Sequence, residues 1–188
     1  MKIIANNIRK GTILEHNNKL WCVTETRISQ PGKGGSVVTV TMKDLDAGNK
    51  TSVRYNTSEA VESIRIDSET FQYLYSSDDD YTFMNQDTYD QLTIKSDMIG
   101  DSVVFLQDGM IVQMQMHEGT PISVELPESV TLEITEADPV IKGQTASSSY
   151  KNAVLENGVK ILVPPHIESG TRVVVRTADA TYVEKAKD

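Results

Sequence analysis

Residues 28–38 read Ile28-Ser29-Gln30-Pro31-Gly32-Lys33-Gly34-Gly35-Ser36-Val37-Val38, and this stretch joins two runs of strand-forming residues. Glycine permits positive φ and close approach of the backbone to a partner, while proline fixes its own φ and restricts the residue before it. The pattern predicts a β-hairpin with Lys33 exposed in a tip loop that also contains Pro31, Gly32, Gly34 and Gly35. Two interpretations are open here: an ordinary solvated hairpin, or a lysine that reaches into a cleft of a partner.

Short β-branched and aromatic runs recur on both sides of this hairpin, with turn residues between them, and helical periodicity is scarce. We therefore predict an all-β protein. Strands are predicted at 12–14, 20–28, 37–42 and 50–55, at 69–75, 81–84, 103–106, 110–117 and 121–125, and at 129–135, 154–155, 160–163, 171–177 and 181–185. Short helical turns are predicted at 87–92 and 96–99, where Asp87 and Ser96 are suitable N-caps.

The strands group into three small barrels in a row. Four or five short strands within about 60 residues are typical of a small barrel, and five strands with a short helix fit an OB-fold. We place the domains at residues 1–63, 64–127 and 128–188. The middle domain has the pattern of an OB-fold, and the last domain is predicted to be a second small barrel.

Charge is distributed unevenly over the 188 residues, whose formal net charge is −9. Residues 1–63 contain nine basic and six acidic side chains, a net of +3, whereas residues 64–127 contain two and twelve, a net of −10. Residues 128–188 contain seven and nine, a net of −2. Since phosphate contacts need Lys and Arg, we expect any RNA contact at the ends of the chain and not in the middle.

Signatures of enzymes and metal sites are absent from the sequence. Cys22 is the single cysteine, and the three histidines, His16, His117 and His166, are dispersed without ligand spacing. No nucleophile elbow, phosphate loop or dinucleotide fingerprint is found. We therefore expect no catalytic residue, no metal and no cofactor. No signal-peptide h-region or run of about 18 apolar residues is present either, so we expect a cytoplasmic protein without a membrane contact.

The middle third contains two patterns with a structural and a functional interpretation. Asp78-Asp79-Asp80 resembles a cation site only weakly, and a solvated turn between two strands accounts for it better. Alternation places Phe71, Tyr73 and Tyr75 on one face of a strand, and Tyr81 and Phe83 on one face of another. These aromatics either stack on bases or form barrel core and lateral surface, and the surrounding negative charge favours the second interpretation.

Several segments, in order, resemble translation elongation factor P. They are Pro31-Gly32-Lys33-Gly34 in the first third; Tyr73-Leu74-Tyr75 followed by Phe83-Met84-Asn85 in the second; and, in the last, Asp138-Pro139 through Lys142-Gly143-Gln144-Thr145-Ala146, then Lys151-Asn152-Ala153 leading to Gly158 and Val163-Pro164 through Ile167 to Gly170. Each segment is a weak signal, but four ordered matches at family-like spacing cover essentially the whole chain.

The resemblance implies a fold and a function. The family has an SH3-like barrel of the KOW type followed by two OB-folds, in an L-shaped arrangement similar to transfer RNA. Its members bind the ribosome between the peptidyl (P) and exit (E) sites, contact peptidyl-tRNA and ribosomal RNA, and relieve stalling at consecutive prolines without covalent chemistry of their own. Lys33 matches the tip position, which a lysine-modifying ligase extends in many members, so the lysyl-type or unmodified branch is implied. We expect a monomer.

Two sets of RNA contacts are implied in the last third. Gln144, Thr145, Ser147 and Ser148 match a family segment near the exit-site codon, although Ser147-Ser148-Ser149-Tyr150 replaces a more glycine-rich sequence; a flexible surface loop is the alternative. Tyr182 and Lys185 lie near a family position that contacts RNA. Lys185 stands where arginine is common, which argues against bidentate phosphate binding there.

Two other functions stay open. One is a paralogue that resembles elongation factor P but serves other stalls. The other is a general OB-fold RNA-binding module, which requires an aromatic and basic groove that the acidic middle third does not supply. Ribosome binding with protection of peptidyl-tRNA favours the factor or its paralogue, whereas tight binding of free single-stranded RNA favours the module.

Overall fold

The computed structural model of the chain describes residues 1–140 and 149–187, and strands dominate it. The strands of the first third are β1 (Lys2–Ile4), β2 (Ile13–His16), β3 (Lys19–Ser29), β4 (Val37–Asp44), β5 (Lys50–Asn56) and β6 (Ala60–Glu62). Those of the middle are β7 (Asp67–Ser77), β8 (Asp80–Asn85), β9 (Gln91–Lys95), β10 (Ile111–His117) and β11 (Thr120–Glu125). The last third contains β12 (Ser129–Ala137), β13 (Lys151–Leu155), β14 (Lys160–Val163), β15 (Arg172–Arg176) and β16 (Thr181–Lys185).

The main sheets are three curled half-barrels, with strand orders β2-β3-β4-β5, β11-β10-β7-β8-β9 and β14-β13-β12-β15-β16, and β1 pairs with β6 in a small separate sheet. The predicted all-β class with three successive barrel-type sheets is confirmed. Contacts divide the chain into two compact units, Met1–Ser68 with Gln115–Ile122, and Glu69–Met114 with Ser123–Asp188. The domain boundaries near residues 63 and 127 stay predictions.

In the first unit, β4 has the alternation of a strand that covers a core on one side. Val38, Val40 and Met42 are buried, whereas Thr39 and Thr41 between them point to the opposite face. The buried side chains form one cluster with Ala5, Ile8, Leu14, Trp21, Val23 and Val61. This cluster supports the β3–β4 hairpin from one side and leaves its other face to solvent.

A buried carboxylate fixes the turn between β4 and β5. Asp44 is 1% exposed, and its Oδ1 accepts hydrogen bonds from the backbone N–H groups of Asp46 at 2.8 Å and Ala47 at 3.3 Å. Its Oδ2 accepts a hydrogen bond from Lys19 Nζ at 3.0 Å. The hydrogen bonds from Asp46 and Lys19 lower the pKa of Asp44 below its usual range. The ionised side chain thereby stabilises the turn that leads from β4 to β5.

The second sheet buries part of the aromatic set. Phe71, Tyr73 and Phe83 are buried, and the ring centroids of Tyr73 and Phe83 lie 5.4 Å apart. The register shifts between Tyr73 and Tyr75, which pair with Phe83 and Thr82. This bulge turns Tyr75 to the opposite face, where it is 56% exposed, so the prediction that it shares a face with Tyr73 is wrong. The predicted combination of core and surface aromatics is confirmed.

The third sheet encloses a core that also receives a residue from the segment before β10. Phe105 is 3% exposed and belongs to the same cluster as Val130, Leu132, Ile134, Ala153, Leu155, Ile161, Val163, Ile167, Val173 and Val175. Two hydrogen bonds flank it: Gln107 Nε2 donates to the Thr131 carbonyl at 3.2 Å, and Asn157 Nδ2 donates to the Val104 carbonyl at 2.9 Å. Within the second unit, the third sheet is therefore packed against the Gly100–Phe105 segment.

Two local predictions are wrong and two are confirmed. Residues 103–106, predicted as a strand, belong to a 3₁₀ helix at Gly100–Phe105 that positions Phe105 in the third core. Residues 87–92, predicted as a helical turn, form a turn and then enter β9, because Asn85 Oδ1 accepts the backbone N–H groups of Asp87 and Thr88 at 2.8 and 3.1 Å. A helix, α1 (Ser96–Ile99), is present as predicted, although its N-cap is Lys95. The aspartate triplet forms the predicted turn, with Asp78 and Asp79 between β7 and β8.

No helix in the described residues is long and apolar enough to span a membrane.

Candidate functional site

The tip of the β3–β4 hairpin extends beyond the core of its sheet. β3 and β4 remain paired up to Ser29 opposite Val37. Every residue from Arg27 to Gly35 is exposed, whereas Val38 is only 1% exposed. The core therefore ends at the start of β4, and paired strands carry the tip away from it.

A hydrogen-bonded turn shapes the tip. The N–H of Gly34 donates to the carbonyl of Pro31 at 2.9 Å, so Gly32 and Lys33 are the central residues of the turn. At the base of the loop, the N–H of Thr57 donates to the Ser36 carbonyl at 3.1 Å. Lys33 is exposed, and none of the residues in the described ranges forms a hydrogen bond or ion pair with its ammonium group. The predicted exposure of Lys33 at a hairpin tip is thus observed.

The glycines of the tip have ordinary backbone conformations. None of Gly32, Gly34 and Gly35 has positive φ, so the turn makes no use of the conformational freedom that glycine permits. A Cβ atom added to Gly32 or Gly35 would meet no atom within 4 Å, and one added to Gly34 would meet only Pro31, at 3.9 Å. The fold of the tip therefore accepts side chains at these positions. What the glycines provide is a bare backbone that another molecule can approach closely.

The predicted contacts of the last third are only partly within the described residues. Gln144, Thr145, Ser147 and Ser148 lie outside them. Tyr182 and Lys185 lie on β16 opposite Val175 and Val173, which are both buried. In a regular strand, residues three apart face opposite sides, but a register shift between Val174 and Val175 brings these two to one face.

The surroundings of Tyr182 include a second tyrosine that sequence reasoning did not connect with it. A cavity of about 420 Å³ is lined by Tyr182 with Tyr150, Asn152, Lys160, Ile161, Leu162, Ala180 and Thr181. Burial raises the pKa of Tyr182, and the neighbouring Tyr150 adds to the rise. Because β14 contacts both β13 and β16, Tyr150 and Tyr182 line the same cavity. The spacing of residues in the sequence does not reveal this neighbourhood.

The described part of the chain was also compared with the requirements of a metal site. It holds no group of three or more His, Cys, Asp or Glu side chains able to bind a metal ion. Burial raises the pKa of Cys22, which keeps the thiol protonated.

Family profiles match the chain in three consecutive segments. They are described as the elongation factor P KOW-like domain at residues 4–61, the elongation factor P OB domain at residues 66–124 and the elongation factor P C-terminal domain at residues 130–185. The predicted KOW-type barrel followed by an OB-fold is thereby confirmed.

Individual relatives agree with the profiles. Elongation factor P of Rhodospirillum centenum is 57% identical over 188 residues and covers 100% of both chains. Elongation factor P of Erythrobacter litoralis is 53% identical over 186 residues, which are 99% of this chain and 100% of that protein. Among solved structures, eukaryotic translation initiation factor 5A from Methanococcus jannaschii shares the fold, with a TM-score of 0.57 and 21% identity over 68% of this chain and 94% of that one. The chain belongs to the elongation factor P family of translation elongation factors.

Proposed function

We propose that this protein binds the ribosome between the P and E sites, contacts peptidyl-tRNA and stimulates peptide-bond formation where consecutive prolines stall it. Family membership supports the general role. The observation that supports the specific one is the hairpin tip, where an exposed, unpaired Lys33 ammonium stands on a backbone that carries no side chain at Gly32, Gly34 or Gly35. Such a tip fits a narrow cleft lined by phosphates.

The stall that the protein relieves has a physical origin. Proline is a constrained secondary amine, and consecutive prolines restrict the nascent chain. A peptidyl-tRNA that is poorly placed for attack loses the orientation that normally lowers the barrier to peptide-bond formation. A factor that holds the end of the tRNA restores this orientation and needs no covalent chemistry of its own.

Lys33 supplies the cation in this proposal. Its ammonium is a compact charge on a flexible four-carbon stem, suited to phosphate oxygens of the tRNA end. The same exposure makes Lys33 accessible to a lysine-modifying ligase, which would lengthen the side chain. Intact-mass measurement of the protein from its native host, followed by peptide mapping, tests this: added mass confined to the Lys33 peptide supports modification, and an unmodified mass with full activity assigns the protein to the bare-lysine branch.

Secondary contacts are proposed at the other end of the chain. Tyr182 and Lys185 share a face of β16, where a phenol and an ammonium can donate to phosphate or sugar oxygens. Gln144, Thr145, Ser147 and Ser148 are proposed to contact RNA near the exit-site codon on the strength of the family resemblance. These contacts position the factor, while Lys33 acts at the tRNA end.

The central test is the variant Lys33→Ala. We expect it to abolish stimulation of a Pro-Pro-Pro reporter in a reconstituted translation system, because the cation at the tip is lost. The far-ultraviolet circular dichroism and the unfolding free energy should stay within about 0.5 kcal/mol of wild type, since an exposed side chain without partners is replaced. Lys10→Ala, which removes another exposed lysine of the first unit, is the matched control and should retain rescue. Unaltered reporter synthesis with Lys33→Ala would refute the role of Lys33.

A further inference from the structure

The hairpin turn between β13 and β14 contains a chemically labile pair of residues. Asn157 is the one asparagine of the sequence that is followed by glycine, Gly158. Asparagine is most prone to spontaneous deamidation in this context, because glycine has no side chain to hinder its own backbone nitrogen as that nitrogen attacks the asparagine amide. Asn157 is partly buried and Gly158 is exposed, so water reaches the turn.

Deamidation of this pair is an intramolecular reaction. The Gly158 backbone nitrogen attacks Cγ of Asn157, so a nitrogen–carbon bond forms and the bond from Cγ to Nδ2 breaks. The proton of the Gly158 N–H passes through water to Nδ2, which leaves as ammonia, and a five-membered succinimide remains. Water then opens this ring at either carbonyl carbon and yields aspartate or isoaspartate. The reaction requires water and no other reagent.

Three hydrogen bonds of the turn oppose this reaction. The N–H of Gly158 donates to the Leu155 carbonyl at 2.8 Å, so the attacking nitrogen keeps its proton. Asn157 Oδ1 accepts the N–H of Val159 at 3.2 Å, and Asn157 Nδ2 donates to the Val104 carbonyl at 2.9 Å. Attack requires the nitrogen to approach Cγ from above the plane of the side-chain amide. A side chain that is bound at both its oxygen and its nitrogen turns into that geometry with difficulty.

The bond to Val104 links the labile amide to the packing of the 3₁₀ helix at Gly100–Phe105. Val104 precedes Phe105, which is 3% exposed in the core of the third sheet. Movement of this segment away from the sheet would withdraw the Val104 carbonyl and free Nδ2. After deamidation, the oxygen that replaces Nδ2 cannot donate, and a carboxylate then lies beside a carbonyl oxygen.

We propose that Asn157 is a deamidation site whose reaction is controlled by the packing of the Gly100–Phe105 segment against the third sheet. While the segment is packed, the hydrogen bonds protect the amide. When the segment opens, the amide reacts, and the product opposes repacking because it has no donor for the Val104 carbonyl. Aspartate still accepts the N–H of Val159, so the loss is specific to the contact with Val104. The reaction thereby converts a transient local opening into a lasting one.

The first test compares deamidation in the folded and unfolded full-length chain. Protein is incubated at mildly alkaline pH with or without guanidinium chloride, and mass spectrometry follows the replacement of –NH₂ by –OH in the peptide that contains Asn157. We expect the folded protein to react at least about tenfold more slowly, because only its opened fraction reacts. Equal rates would show that the turn does not protect the amide. Failure of the unfolded chain to deamidate at Asn157 would overturn the site itself.

Phe105→Leu tests control by the segment. This substitution keeps an apolar side chain but fills the third core less completely, so the protein should remain folded while the segment opens more often. We expect Asn157 to deamidate about threefold faster than in wild type, or more. The matched control is Val40→Ala, which creates a cavity in the core of the first unit and should leave the rate at Asn157 unchanged. A wild-type rate in Phe105→Leu, or an equal acceleration in both variants, would overturn the control by the segment.

Asn157→Asp imitates one product of the reaction. Hydrogen exchange of residues 100–106, measured by mass spectrometry, should be about threefold faster than in wild type or more, because the donor to Val104 is lost. Asn152→Asp is the matched control: it adds the same charge to β13 at a side chain that bonds to Asp138, and exchange in residues 100–106 should not change. Wild-type exchange in Asn157→Asp would contradict the coupling between the turn and the segment.

Discussion

At the tip of the first unit, glycine occupies positions where the fold would also accept residues with a side chain. Gly32 and Gly35 have ordinary φ values and open space where a Cβ atom would lie. Gly48, in the turn after β4, is a contrasting case, because its φ is +74° and most L-residues are strained there. Glycines with these different local requirements make it possible to separate stability from function.

Gly32→Ala/Gly35→Ala tests whether the tip enters a confined space. We expect its unfolding free energy, measured by urea denaturation, to change by less than about 1 kcal/mol, because neither methyl group meets another atom and the unfolded chain loses some freedom. Rescue of the Pro-Pro-Pro reporter should fall, since the added methyl groups obstruct close approach.

Gly48→Ala is the control for that pair of substitutions. Its positive φ predicts a loss of about 1 kcal/mol of stability, with rescue retained under conditions where the variant is folded. Full rescue by Gly32→Ala/Gly35→Ala would show that the glycines of the tip are not needed for access.

At the scale of elements, the segment Gly100–Phe105 shows how tertiary packing overrides a local pattern. Val103, Val104 and Phe105 are β-branched or aromatic and favour a strand. The segment instead forms a 3₁₀ helix, which places Phe105 in the core of the third sheet and leaves Val104 45% exposed. The fully buried residues that share its cluster follow it by 25 or more positions, so a local window of sequence does not contain them.

Phe105→Ala should therefore be strongly destabilising. Replacing a fully buried phenylalanine with alanine removes apolar contacts and leaves a cavity, at a cost of about 3–5 kcal/mol. Urea unfolding followed by circular dichroism measures this loss. Val104→Ala, at the exposed neighbouring position, should cost less than about 1 kcal/mol. Equal effects of the two substitutions would contradict the role of Phe105 in joining the segment to the third core.

Alternation along a strand predicted that Phe71, Tyr73 and Tyr75 share a face, but it failed for Tyr75, where the strand contains a bulge. Arg27 lies an even number of residues after Trp21 and Val23. Regular alternation would therefore place its side chain on the buried face with theirs. The register shift between Val23 and Glu25 turns it to the side of the sheet that faces away from the core, opposite Thr39. The same effect exposes Tyr75 and brings Lys185 to the face of Tyr182.

The tip itself was predictable because its chemistry is local. Pro31 and the glycines mark a turn, and the flanking strands fix its ends. The cross-strand row of Arg27, Thr39 and Arg54 was not predictable, because it requires the register of three strands and the position of one bulge. A candidate site on one loop is thus readable from sequence, whereas a group of residues shared among strands requires the structure.

At the scale of the whole molecule, charge is segregated along the chain. The first 63 residues have a net charge of +3 and residues 64–127 a net charge of −10. An RNA surface attracts the former and repels the latter, and salt weakens both effects. The uneven charge therefore favours RNA contact through the first third and discourages it through the middle.

Asp87→Asn/Asp90→Asn/Asp108→Asn tests this repulsion. The three carboxylates are exposed, and none of them takes part in a hydrogen bond or ion pair of its side chain in the described part of the chain. We expect binding to ribosomes, measured at low salt, to stay equal or become up to a few-fold tighter, because unfavourable charge near RNA is removed. Lys2→Gln/Lys10→Gln, which neutralises two exposed lysines of the first unit, serves as the reference for a general change in net charge. Weaker binding would mean that the acidic surface contacts a basic partner.

The packing of Phe105 also has a consequence for the order of events during synthesis. This residue leaves the ribosome before any strand of the third sheet, and the residues that bury it extend to Val175 near the end of the chain. Until β15 has emerged, Val173 and Val175 are missing from the cluster that contains Phe105. The core around Phe105 is therefore complete only after the last strands of the third sheet have been synthesised.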